Sequence, residues 1–292
     1  MNRFQKWELC LGIYENRADI NLQRQKKFDE YCKLKMNAKT TDDDKNEIMK
    51  DINRTYQEMG LFHLESNKNI MCNVLLLWCS HSLSYRQGMN EIVGVIFYTY
   101  VQSFQDSQEQ NSTKIENDIY WVFKTIMDDG DHKQNFNYSS HMPIDRIPLI
   151  RYIKDLTMDK LKYIDEQLFQ IFEQNQISTE IFLMKWIKIE QIQVIWDKMF
   201  EKFQTSKMKF LDAMIITMMI QLKPQLLKIE YINNFEVLLL FQNYPAKDNY
   251  LQMIGQAEKI EKQLRSLEGI SWLEIIKRFN LGYSLSLYFQ KN

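Results

Sequence analysis

Residues 47–58 hold an aspartate and an arginine at a spacing that suits the presentation of a positive charge. The segment reads EIMKDINRTYQE, and Ile48, Asp51 and Arg54 follow one another at intervals of three residues. That spacing predicts a helix on which the three residues share one face, with Asp51 paired to Arg54 or bracing it. The same pair is also typical of an ordinary surface ion pair, because oppositely charged residues at this spacing are common on helices.

Residues 84–92, which read SYRQGMNEI, place a glutamine beside a predicted helix start. Gly88 interrupts the chain where an apolar helix begins, so Gln87 is expected at or near the N-terminus of that helix. Free backbone N–H groups and the helix dipole favour a phosphate at such a position. Taken alone, however, Gln87 and Gly88 also fit the plain turn that leads into many helices.

Together the two segments resemble the signature motifs of the TBC domain, the family of Rab GTPase-activating proteins. IxxDxxR reads here as residues 48–54 and YxQGM as residues 85–89, in that order and with a helix-length segment between them. Further segments that are similar to the family are RxxxW at 3–7, an acidic and then aromatic run at 116–123, Lys185 with Trp186, Ile195 with Trp196 and Asp197, and the late apolar segment 210–245. The late segment most resembles the branch around TBC domain family member 5.

The resemblance implies roles for five residues in the activation of a partner GTPase. In the family, the motif arginine neutralises charge on the phosphates, and the motif glutamine orients the attacking water in place of the GTPase's own glutamine. By position, Arg54 is the arginine finger and Gln87 is the glutamine finger. Asp51 would brace Arg54, while Tyr85 and Gly88 would shape the loop that presents Gln87. GTP and its magnesium ion would be bound by the Rab-type partner, so the resemblance implies no cofactor or metal site of the chain's own.

The stretch between Trp186 and Trp196 departs from the family pattern. It reads IKIEQIQVI, which is shorter than the usual family stretch by about two helical turns of 3.6 residues. A second hypothesis therefore stays open, in which the chain is a non-catalytic scaffold or adaptor subunit that uses the TBC fold in a larger assembly. The presence of both finger residues favours the activator, whereas the shortened stretch favours the scaffold.

The elements that must position these residues are predicted to be helices throughout. The 292 residues include only 8 Gly and 4 Pro, and the apolar residues follow a helical period, so no segment is predicted to be a strand. The resemblance implies an all-α, two-lobed, V-shaped TBC domain of a dozen or more helices over residues 1–257, with lobes at roughly 1–142 and 143–257. Residues 258–292 would form a C-terminal helical extension packed on the domain.

Polar and proline-containing segments predict where some helices begin. Thr41, or one of the aspartates that follow it, can cap a helix after the polar residues 37–44. Pro148 and Pro224 are predicted to lie in the first turns of helices. Residues 128–143 are predicted to be irregular.

Composition and charge exclude several classes of function. A formal net charge of −1 gives no field of one sign that would attract nucleic acid or an anionic membrane. The four cysteines form no CxxC pair and no metal-ligand spacing with the histidines, which argues against a zinc site and a disulfide framework. The longest apolar run, residues 211–222, is too short to span a bilayer. We therefore expect a cytoplasmic protein that contacts membranes only through its partner.

Overall fold

The computed structural model describes residues 1–15, 19–105, 111–139, 141–143, 146–177, 189–203, 205, 208–229, 232–242 and 250–266. Within these ranges the regular structure is helical and no strand occurs, which confirms the predicted all-α fold. The α-helices are α1 (Arg3–Cys10), α2 (Ile20–Met36), α3 (Asp42–Ile52), α4 (Glu65–His81), α5 (Met89–Ser103), α6 (Ser112–Asp128), α7 (Gly130–Phe136), α8 (Pro148–Asp155), α9 (Lys162–Ile164), α10 (Glu166–Gln174), α11 (Ile189–Glu201), α12 (Met208–Leu226), α13 (Asn234–Gln242) and α14 (Tyr250–Arg265). A 3₁₀ turn at Gly60–His63 precedes α4, and a π-helical turn at Leu156–Leu161 joins α8 to α9.

The start of α3 follows the sequence prediction closely. Thr41 is the N-cap, and its hydroxyl accepts a hydrogen bond from the N–H of Asp44 (3.1 Å), while the Asp44 carboxylate accepts one from the N–H of Thr41 (3.1 Å). This reciprocal pair is a capping box. The acidic first turn, which also contains Asp42 and Asp43, complements the positive end of the helix dipole. Pro148 is likewise the first residue of α8, as its fixed φ predicts.

Two predictions about helix bounds are wrong. Pro224 lies near the C-terminal end of α12 instead of in a first turn. Residues 128–143 are not irregular throughout, because α7 occupies part of them, and its first turn is closed by the bond from the N–H of Lys133 to the carbonyl of Asp129 (2.8 Å).

The proposed division into domains stays a prediction. The expected boundary at 257/258 falls inside α14, which packs along α12. No helix in the described part of the chain is long and apolar enough to cross a membrane.

A layer built on α4 supports the two motif segments. This helix packs against α3, α5 and α6, and it buries Val74 and Leu75 completely. Trp78 lies edge-on to Phe123 of α6, with ring centroids 5.7 Å apart. The end of α3 and the start of α5 are therefore held on one apolar support.

A second cluster joins the N-terminal helix to distant parts of the chain. Helix α1 packs against α5 and α11. Trp7 is fully buried and contacts Trp196 and Phe200, whose ring centroids lie 5.7 and 5.1 Å from its own. Further along the chain, α12 buries three methionines, Met214, Met218 and Met219.

Candidate functional site

Arg54 lies just beyond the C-terminus of α3. Ile48 and Asp51 lie on α3 as predicted, but the prediction that Arg54 shares their helix face is wrong, because α3 ends at Ile52. The chain then tightens, since the N–H groups of Arg54 and Thr55 bond three residues back, to the carbonyls of Asp51 (3.1 Å) and Ile52 (3.1 Å). The buried Ile48 and Ile52 fix α3 to the core, and Arg54 leaves the helix on an exposed turn.

The guanidinium of Arg54 pairs with a buried carboxylate. Nη2 of Arg54 donates to Oδ1 of Asp51. The Asp51 side chain is 7% exposed, whereas that of Arg54 is 60% exposed. Among the described residues, none accepts a hydrogen bond from Nε or Nη1 of Arg54. The pair therefore fixes one edge of the guanidinium and leaves its other N–H groups available to an acceptor outside the chain.

Tyr85 joins the second motif to the first. Its hydroxyl donates to Oδ2 of Asp51 (2.8 Å), so the carboxylate has a partner on each oxygen. The Tyr85 side chain is buried, and this burial together with the hydrogen bond to Asp51 raises the pKa of Tyr85 well above its usual range. The hydroxyl therefore stays protonated and remains a donor at neutral pH.

Asn90 is a residue of this site that the sequence reasoning missed. Its Oδ1 accepts a hydrogen bond from the N–H of Gly88 (3.0 Å) and lies 3.1 Å from the Tyr85 hydroxyl. Its Nδ2 donates to Oγ1 of Thr55 (2.8 Å) and lies 3.4 Å from the carbonyl oxygen of Asp51. With 4% of its surface exposed, the amide bridges the turn after α3 and the turn before α5. A polar residue in the first turn of an apolar helix was the available signal.

Gln87 is exposed on the turn that precedes α5. The next residue, Gly88, is the N-cap of α5 and has a φ of 101°, a conformation that glycine adopts without strain. The carbonyl of Arg86 accepts a hydrogen bond from the N–H of Met89 (3.2 Å), which closes the turn. The Gln87 side chain forms no hydrogen bond with any residue that the structure describes, so its amide is available to a partner.

Arg86 anchors the chain directly before Gln87. Its Nη1 donates to the carbonyl of Tyr85 (2.6 Å) and its Nη2 to the carbonyl of Tyr138. The guanidinium carbon also lies 4.8 Å from the centroid of the Tyr138 ring, a cation–π contact. The segment around Tyr138 is thereby held beside the second motif. Sequence reasoning did not single out Arg86, because the motif specifies no residue type at its position.

The structure joins four of the five predicted site residues in one polar network and places the fifth, Gln87, directly beside it. Asp51 binds both Arg54 and Tyr85, Asn90 connects them to Gly88, and Gln87 immediately precedes this glycine. Trp196 and Asp197 take part in a different contact, with α1. The predicted Lys185 and Trp186 lie outside the described residues. Within the described ranges, no group of three His, Cys, Asp or Glu side chains could hold a metal ion.

The comparison with known proteins covers most of the chain. The family model of the Rab-GTPase-TBC domain matches residues 2–227. Mouse TBC1 domain family member 5 is 21% identical over 252 residues, covering 72% of this chain and 30% of that protein. Mouse TBC1 domain family member 13 is 25% identical over 207 residues, covering 68% of this chain and 48% of that protein. The chain thus matches less than half the length of each relative.

A solved structure supports the fold independently. The crystal structure of the Ypt/Rab-GAP domain of Gyp1p superposes with a TM-score of 0.73 and covers 90% of this chain and 89% of that one. The sequence identity is 20%, so this likeness shows the fold alone.

Proposed function

The chain belongs to the Rab-GTPase-TBC domain family, and from this membership we propose that it is a GTPase-activating protein for a Rab-family small GTPase. In this proposal, Arg54 is an arginine finger and Gln87 is a glutamine finger, both supplied in trans. The chain is not an enzyme by itself, because the reacting GTP and its magnesium ion are bound by the partner. In this proposal the chain is cytoplasmic, acts in vesicle trafficking and reaches membranes through its partner.

The proposed chemistry is electrostatic. In GTP hydrolysis, water attacks in line with the bond that breaks, and negative charge shifts onto oxygens of the phosphates. The exposed guanidinium of Arg54 can neutralise that charge in a site from which water is excluded. An arginine finger supplied in trans raises the rate by roughly 10³–10⁵-fold. The amide of Gln87 can accept a hydrogen bond from the attacking water and donate one to a phosphate oxygen, so it can hold the water in line.

The observation that carries this proposal is the shared network around Asp51. Asp51 accepts hydrogen bonds from Arg54 of the first motif and from Tyr85 of the second. The network is almost wholly buried, but the Arg54 and Gln87 side chains that leave it are exposed and keep unsatisfied donors and acceptors among the described residues. Buried support beneath exposed functional groups is what preorganised catalysis in trans requires.

The alternative is a non-catalytic scaffold or adaptor subunit with the same fold. The shortened stretch at 187–195 favours it, because the chain departs from the family pattern there although both motifs are present. Residues 187 and 188 lie outside the described part of the chain, and the rest opens α11.

A panel of GTP-loaded Rab GTPases separates the two functions. Single-turnover GTP hydrolysis would be measured for each GTPase with and without the full chain. We expect at least one GTPase to hydrolyse GTP faster by orders of magnitude, since both finger residues are accessible. The proposal of a GTPase-activating function is wrong if the chain accelerates hydrolysis by no member of the panel and instead copurifies with another protein at fixed stoichiometry.

A further inference from the structure

Tyr56 has an uncommon backbone conformation two residues after Arg54. Its φ is 44°, in the left-handed region that residues with a Cβ atom rarely adopt. The N–H of Met59 bonds to the carbonyl of Tyr56 (3.0 Å), so the reversal of the chain is closed by a hydrogen bond. A bulky residue keeps such a conformation only where the surrounding packing determines it.

Gly94 of α5 supplies that packing. A methyl group at Gly94 would lie 2.9 Å from Cε2 and 3.1 Å from Cδ2 of Tyr56, and 3.2 Å from Cγ2 of Thr55. Only the absence of a side chain at position 94 lets the turn approach α5 so closely. On its other side, the Tyr56 ring packs against Phe62, with centroids 5.3 Å apart. The ring is thus held between α5 and the 3₁₀ turn.

Neither neighbour of Gly94 can move away at low cost. Oγ1 of Thr55 donates to the carbonyl of Asp51 (2.8 Å) and accepts from Nδ2 of Asn90 (2.8 Å). Phe62, behind the Tyr56 ring, is 1% exposed. Asn90 and Gly94 are four residues apart and lie on the same face of α5. This face therefore holds the turn through the hydrogen bond of Asn90 and through the close approach of the turn to Gly94.

We propose that the fit of Tyr56 against Gly94 positions the arginine finger, which makes these two residues positioning residues for Arg54. The inference rests on the proposed function, because it concerns the place from which the guanidinium reaches a partner's nucleotide. Tyr56 is two residues from Arg54 on a turn that is closed by backbone hydrogen bonds. A displacement of residue 56 is therefore expected to displace residue 54 as well. A misplacement of about 1 Å in a catalytic arrangement can cost about 100-fold in rate.

The first test uses Gly94→Ala in single-turnover hydrolysis with a responsive GTPase. The maximal stimulated rate should fall by about 10- to 100-fold, while the concentration of chain needed for half-maximal stimulation changes little, because the added methyl group is buried and alters no exposed side chain directly. Adding Tyr56→Asn should restore part of the rate, since asparagine removes the two ring atoms that the methyl group meets and tolerates positive φ, although the contact with Thr55 remains. Gly255→Ala is the matched control. It also adds a methyl group to a helix, but this group would meet no atom within 4 Å beyond the adjoining backbone of its own helix, so the wild-type rate is expected.

The second test needs no GTPase and therefore distinguishes a failure of this inference from a failure of the proposed function. Hydrogen exchange would be followed at the amides of Arg54, Thr55 and Met59, which are hydrogen-bonded within the turn. Gly94→Ala should speed their exchange, the double variant should slow it again, and amides of α12 should not change. A wild-type maximal rate in Gly94→Ala overturns the inference. So does a loss that Tyr56→Asn does not restore, or unchanged exchange in the turn.

Discussion

Arg3 and Arg54 each pair with an aspartate, yet they use their guanidinium groups differently. Nε of Arg3 donates to Asp197 (3.2 Å) and Nη1 donates to Gln193 (3.1 Å), so two of its nitrogens hold α1 against α11. Arg54 donates through Nη2 alone to the residues that the structure describes. The Arg54 side chain is also the more exposed of the two, at 60% against 37%.

The two aspartates resemble each other more than the arginines do. Asp197 also accepts a hydrogen bond from Nε1 of Trp7 (2.7 Å), and Asp51 also accepts one from the hydroxyl of Tyr85 (2.8 Å). Each carboxylate therefore binds one guanidinium and one aromatic donor. An Asp–Arg pair is thus weak evidence of function by itself. What distinguishes the candidate site is an exposed arginine whose Nε and Nη1 donate to none of the described residues.

The largest effect is expected from Arg54→Ala. We expect the stimulated rate to fall by at least about 10³-fold, because the variant removes the cation of the proposed arginine finger. Arg54→Lys should also be poor, since an ammonium cannot reproduce the planar fork of a guanidinium. The free energy of unfolding should fall by only about 1 kcal/mol, because the Arg54 side chain is largely exposed and the buried Asp51 carboxylate keeps its hydrogen bond from Tyr85. Single-turnover hydrolysis and urea denaturation measure the two quantities.

Arg3→Ala is the matched control for this prediction. It removes an arginine paired to an aspartate, but one that donates through Nε and Nη1 to residues of α11, so it should lower stability and leave the maximal stimulated rate unchanged. Equal losses of rate in Arg3→Ala and Arg54→Ala would remove the distinction between the two arginines.

A smaller effect, on stability instead of rate, is expected from Asp197→Ala. The variant leaves the indole N–H of the fully buried Trp7 without its acceptor and leaves Arg3 without its carboxylate. The free energy of unfolding should fall by about 2–3 kcal/mol, since a buried donor without a partner keeps its full desolvation cost. Urea denaturation measures this loss, and hydrolysis per folded molecule should match the wild type.

Asp197→Asn sharpens the same comparison. Its amide oxygen can still accept from Trp7, whereas the charge opposite Arg3 is lost, so the destabilisation should be about 1 kcal/mol. If Asp197→Ala instead left stability unchanged and abolished stimulation, Asp197 would belong to the functional site and the comparison would fail.

Much of the support for the site could be predicted from sequence, because local rules determine it. The capping box at Thr41 follows from hydroxyl and carboxylate spacing, and the pair of Asp51 with Arg54 follows from a spacing of three residues. The apolar period likewise predicts α4 and α5. The roles of Arg54 and Gln87 came from resemblance to the family, since neither residue type specifies its chemistry alone.

The geometry that connects the two motifs could not be predicted, because it depends on tertiary contacts. The three-residue spacing of the first motif continues through Arg54 and does not indicate that α3 ends at Ile52. Tyrosine at φ 44° contradicts its local preference and is explained only by Gly94, which lies 38 positions further along the chain. Asn90 looks in the sequence like any polar residue in a first turn, whereas in the fold its amide joins the two turns.

The central claim is that this chain supplies both catalytic groups, and a GTPase that lacks its own catalytic glutamine tests it most directly. Single-turnover hydrolysis would be measured for a responsive Rab GTPase with that glutamine replaced by alanine, using the wild-type chain and Gln87→Ala. The account predicts that the wild-type chain still stimulates the altered GTPase strongly, and that Gln87→Ala does not, since no glutamine then holds the water. Complete loss of stimulation by the wild-type chain would contradict the account, because the essential glutamine would then belong to the GTPase.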